Sequence, residues 1–129
     1  MTLKMQIAAV ATSVAALTGS AIALAPSASA TSYNGCTYPQ VCFYQTEARW
    51  NAGNPNARYQ DITSGYQNLS SAARGANHVY NTRNDDIAWL RYIDSDGETT
   101  YTCLNPNSGD YFDGLETLTG IKITTASHC

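Results

Sequence analysis

Four cysteines, Cys36, Cys42, Cys103 and Cys129, are the residues of this chain whose type and spacing best support chemistry, and that chemistry is cross-linking. An even count in a short chain argues for cystines rather than thiolate metal ligands. A zinc site drawing on His78 or His128 lacks the usual C-x₂-C spacing. Three pairings are open. Cys36 with Cys42 and Cys103 with Cys129 are favoured, since each closes a local loop at one end of the chain. On the chain-entropy account those loops contribute about 2 and about 3.5 kcal/mol. Catalysis has less to build on. Ser127-His128 supplies two members of a triad, but the third must meet them in space, and no G-x-S-x-G elbow is present. The carboxylates are scattered through turns, so no acid/base pair can be named. His78, beside Val79 and Tyr80, reads as a strand residue. The chain is read as a non-enzyme with no cofactor and no bound metal.

The cystines imply an oxidising compartment, and the start of the chain agrees. Lys4, a run of apolar and small residues from Met5 to Ala25, and Ala28-Ser29-Ala30 have the form of a secretory signal peptide over residues 1–30. A membrane anchor is disfavoured because Thr12, Ser13, Thr18, Gly19 and Ser20 dilute the run and no basic stop-transfer cluster follows. Cleavage after Ala30 leaves one extracellular domain, residues 31–129, expected to be monomeric. With Lys4 gone, six basic residues face ten acidic ones. That balance gives no electrostatic reason to bind nucleic acid or anionic lipid.

The elements that must hold the cystines are strands. Val41-Cys42-Phe43-Tyr44, Ala88 to Ile93 and Thr99 to Leu104 are rich in β-branched and aromatic residues. Turn formers separate them at Ala52–Asn56, Asp94–Gly97 and Asn105–Gly109. Asp96-Gly97 is a hairpin signal. Only Leu69 to Arg74 looks helical, for a turn or two ending at Gly75. A weak internal repeat aligns Val41–Tyr44 with Trp89–Tyr92 and Ala57–Tyr59 with Thr100–Thr102. It continues from Gly65-Tyr66 and Leu69 to Gly109–Tyr111, Leu115 and Leu118, and from Asn77–Tyr80 to Gly120–Ile123. Two four-strand units of this kind predict an all-β sandwich of two Greek-key motifs stapled by disulfides.

Cys36-x₅-Cys42-Phe43-Tyr44, Trp89-Leu90-Arg91-Tyr92 and Tyr101-Thr102-Cys103-Leu104 together resemble the secreted actinobacterial proteins of peptidase inhibitor family I36. The resemblance covers most of Cys36 to Ile123. It implies a βγ-crystallin-like fold and an extracellular metalloendopeptidase as partner. It also implies a reactive-site loop at Thr102, Cys103, Leu104 and Asn105, with Cys103–Leu104 as the bond facing the peptidase. Thermolysin-like zinc peptidases favour a bulky apolar residue just after the scissile bond, and Leu104 would supply it. A cystine at Cys103 and the ring of Pro106 would stiffen the loop and lower the ordering cost of docking. The chain departs from the family pattern at Ser108, where a second loop cysteine stands in the family, so Cys103 is left to a more distant partner.

The alternative reading is a non-inhibitory βγ-crystallin-type structural or calcium-binding extracellular module. The calcium motif of such modules begins correctly at Asn84-Asp85-Asp86, but Ala88 and Trp89 occupy its hydroxyl positions. Asp94, Asp96 and Glu98 could offer hard oxygen ligands, yet a solvated hairpin turn explains them better. Nine tyrosines with Trp50 and Trp89 are read first as filling the core of a small sandwich. Some surplus could form an exposed surface for a protein or a glycan.

Overall fold

Alternation along β1 (Val41–Tyr44) sets the architecture: Val41 and Phe43 point into the main core, while Cys42 and Tyr44 point to the opposite face. The structure, a computed structural model, describes residues 32–129, so the signal-peptide reading of residues 1–30 lies outside it. Seven further strands follow: β2 (Ala57–Tyr59), β3 (Gln67–Asn68), β4 (His78–Asn81), β5 (Ile87–Ile93), β6 (Thr99–Leu104), β7 (Ser108–Tyr111) and β8 (Thr117–Thr124). They form two four-stranded antiparallel sheets, ordered β2-β1-β4-β7 and β3-β8-β5-β6. The all-β expectation holds.

The order of strands accounts for the weak repeat. In each half the first, second and fourth strands share a sheet, and the third crosses to the sheet of the other half. Neither half can close its own sheet without the other. The faces between the sheets carry Val41, Phe43, Val79, Leu90, Leu118, Ile121 and Ile123, each almost wholly buried. At roughly 1.5–3 kcal/mol per enclosed side chain, this apolar layer is the main force holding the sheets together.

Leu118 and Ile121 are three residues apart, an odd spacing that would put them on opposite faces of a regular strand. The register of β8 against β5 shifts between Arg91 and Tyr92, so that Arg91 faces Gly120 but Tyr92 faces Leu118. Thr119 is the extra residue, and this bulge returns both side chains to the core. The β5–β6 hairpin is closed by Asp94. Its Oδ1 accepts from the Glu98 and Asp96 backbone N–H groups at 2.9 and 3.0 Å. Those bonds, that of Glu98 foremost, hold the Asp94 carboxyl below the usual carboxylate range. Asp94 is thereby committed to the turn.

The helix lies elsewhere than expected. The short α1 (Glu47–Asn51) follows Thr46, whose hydroxyl accepts from the Arg49 N–H at 3.1 Å and caps it. Leu69 to Arg74 instead makes a tight turn, in which Ser70 O accepts from the N–H groups of both Ala73 and Arg74. Leu69 and Ala73 are drawn into the core, and the segment goes no further as a helix.

Candidate functional site

Both favoured cystines are present, Cys36–Cys42 and Cys103–Cys129, with Cα separations of 5.8 and 5.9 Å. The second joins the chain terminus to β6, the outer strand of its sheet. This linkage decides the fate of the expected reactive-site residues. Cys103 pairs with Trp89 and Leu104 with Ala88 across β5–β6. Successive strand residues face opposite ways, so a Cys103 turned outward to meet Cys129 forces Leu104 inward.

Leu104 is 3% exposed and belongs to the main core. The expectation that it faces a peptidase cleft is therefore corrected: its side chain is occupied in the sandwich. Thr102 is half-buried opposite Leu90. Asn105 is exposed, but its Oδ1 accepts from the Cys129 N–H at 2.8 Å and so ties down the tail. The four residues share a stretch of chain without forming a presented loop.

The buried Asn81 fixes the backbone just beyond Leu104. Its amide donates to Asp86 O at 3.0 Å and Asn105 O at 3.2 Å, and its Oδ1 accepts from the Arg83 N–H. Arg83 then donates through Nε to Asp86 Oδ2 at 2.7 Å and through Nη1 to Pro39 O at 2.9 Å. Asp86, part of the rejected calcium motif, is held by this guanidinium. Ser127 Oγ and His128 Nδ1 lie 3.2 Å apart on an exposed tail, a contact between sequence neighbours.

A different leucine is presented to solvent. Leu115 is 71% exposed in the loop between β7 and β8, the most exposed of the large apolar residues described. The loop is braced on both sides. Asp113 Oδ1 accepts from the Leu115 N–H at 3.0 Å, an Asx turn, and the Phe112 N–H donates to Asn77 O at 2.7 Å. Phe112 and Leu118 anchor the two ends in the core. Burial, then the nearby carboxylates of Asp113, Asp110 and Asp94, push the Glu116 carboxyl up, giving the loop an acidic surround. The sequence carries a signal for it: Asp113-Gly114 is a turn pair, and Phe112 and Leu118 bracket it as core residues.

On the outer face of the first sheet, the residues before β1 and the helix build a second, smaller apolar cluster. Cys36, Cys42 and Tyr44 are fully enclosed there, with Trp50 and Tyr80 packed against them. The approach is close enough that a Cβ on Gly35 would sit 1.8 Å from Gly53 O, so only glycine fits. The Tyr44 hydroxyl donates to Asn34 O at 2.6 Å. Burial pushes this phenol up to about 12, with Arg58 opposing and Tyr33 and Tyr80 adding. Since folding raises this pKa, its stabilising contribution is complete below the ordinary tyrosine range and disappears as the pH climbs through about 12. In an alkaline titration followed by phenolate absorbance, Tyr44 should ionise late, near pH 12, and Tyr44→Phe should remove that late step. An unchanged titration in the variant would contradict the enclosure.

Beyond this cluster lies a groove of about 350 Å³. Tyr33 stacks on Tyr80 at 4.5 Å between centroids, and Trp50 lies parallel to His78 at 4.6 Å and 5°. Tyr111, 57% exposed, tilts against His78 at 4.9 Å. Glu47 Oε2 sits 2.7 Å from His78 Nε2 and fixes the ring. Gly109 pairs with Tyr80 across the sheet, where a Cβ would meet Val79 O at 2.8 Å and the Tyr80 ring at 3.0 Å. Its missing side chain lets Val79 O and the Tyr80 ring pack closely against β7. Comparison with protein-family models, curated proteins and solved structures returns no match to this chain.

Proposed function

We propose that this chain is an exported, non-enzymatic, peptidase inhibitor-like protein on a βγ-crystallin-like sandwich of two Greek keys, acting by docking a braced loop into a metalloendopeptidase. The resemblance to inhibitor family I36 supplies the class of partner, and the exchange of third strands between the halves is in keeping with the implied fold. The observation that carries the reading is Leu115. A thermolysin-like peptidase asks for a bulky aliphatic side chain after the bond it approaches, and Leu115 meets that need in the loop following Gly114. Its bracing lowers the ordering entropy lost on docking, as the family's cystine would. The leader over residues 1–30 and the two cystines support secretion.

The test is a titration of thermolysin activity with protein secreted by a bacterial host. A fall in activity that saturates with the chain intact supports the reading. Undiminished activity at micromolar chain removes it, and leaves the non-inhibitory structural module as the reading of the fold.

A further inference from the structure

The aromatic groove is a second site, lined in part by the β7 residues that lead toward the Leu115 loop, and it stands whether or not the chain inhibits a peptidase. We infer that it binds an organic cation, an alkylammonium or guanidinium group, between the rings of Tyr33, Trp50 and Tyr111. The lining is aromatic: Tyr33, Trp50, His78, Tyr80 and Tyr111 all contribute, with one face of Tyr33 stacked on Tyr80 and one face of Trp50 on His78. Aromatic faces carry negative potential and attract cations that are weakly hydrated. The charge agrees. Asp110 is the charged residue of the lining, Glu47 stands behind His78, and the lining includes no lysine or arginine among the described residues.

Polar capacity points the same way. A sugar would need several convergent hydrogen-bonding groups, and three of those here are already engaged. The Tyr80 hydroxyl donates to Asn107 O at 3.1 Å, His78 Nε2 is held by Glu47, and Asp110 Oδ1 accepts from the Tyr111 N–H at 2.8 Å. A ligand that needs faces and one counter-charge fits better than one that needs a fan of donors.

The test is a set of NMR titrations of the secreted chain, following the Trp50 indole and His78 ring signals. The probes are choline, N-acetyl-arginine methylamide, glucose, and dimethylbutanol, in which carbon replaces the quaternary nitrogen of choline. At least one cation should bind about tenfold more tightly than dimethylbutanol, the advantage expected of a desolvated cation over aromatic faces. Tighter choline binding assigns a free small molecule, and tighter arginine binding assigns a side chain of a protein partner. Tyr111→Ala removes an exposed ring, so it should keep the melting temperature while weakening the cation about tenfold. Equal binding of dimethylbutanol, preference for glucose, no shifts with either cation, or an unaffected Tyr111→Ala variant would overturn the site.

Discussion

Leu104→Asp should abolish the cooperative fold. Leu104 shares the core with Leu90, Ile121 and Ile123 at 3% exposure, so the variant both removes an aliphatic group and puts a carboxyl in its place. Loss of the aliphatic atoms alone costs about 2–5 kcal/mol, and a buried carboxyl without a partner adds several more. Together these approach the whole stability of a small domain, roughly 5–15 kcal/mol. Near-ultraviolet circular dichroism should show no native signal and thermal melting no transition. A folded Leu104→Asp protein with an unchanged melting temperature would return Leu104 to the surface and reopen the Cys103–Leu104 bond as the docking element.

The second large effect lies at Arg83. This guanidinium is enclosed, 7% exposed, and joins the segment before β1, the stretch after β2 and the β4–β5 connection through Pro39 O, Gln60 O and Asp86. Arg83→Met leaves Asp86 buried without its partner, a change that costs about 3–5 kcal/mol. For a domain of this size, melting should fall by roughly 20 °C. Replacing both partners, Arg83→Met with Asp86→Leu, removes the orphaned charge and should recover most of that loss. Equal melting of the single and double variants would show that the backbone bonds of Arg83, rather than its ion pair, carry the effect.

Most of the sandwich is legible in the residues because each half repeats the same succession of β-branched runs and turn pairs. The strand ends at Ile93 and Leu104 coincide with turn formers, and the cystines follow from the shortest loops. The helix is harder to place. Leu69 to Arg74 has helical composition, but its apolar residues are claimed by the sandwich core, whereas Glu47–Asn51 is set by a single threonine cap that a five-residue segment shows only faintly.

Leu104 is misplaced when its bond is weighed ahead of its strand. Alternation alone, with Cys103 committed to a cystine on the outer face, already turns it inward. Leu115 needs coordinates, since a leucine beside a turn can face either way until its exposure is known. The groove is legible only as a surplus of aromatics. Its rings come from before β1, α1, β4 and β7, elements that are distant in sequence and joined by strand order.

One exposed aliphatic side chain held out by a stiff loop carries the proposed activity, and the sharpest measurement is inhibition of thermolysin by Leu115→Asp beside the parent chain. Leu115 stands outside the core, so melting should move by no more than about 0.5 kcal/mol equivalent. Inhibition by the parent that vanishes in this variant, at an unaltered melting temperature, is the predicted result. Inhibition that survives intact in Leu115→Asp would contradict it.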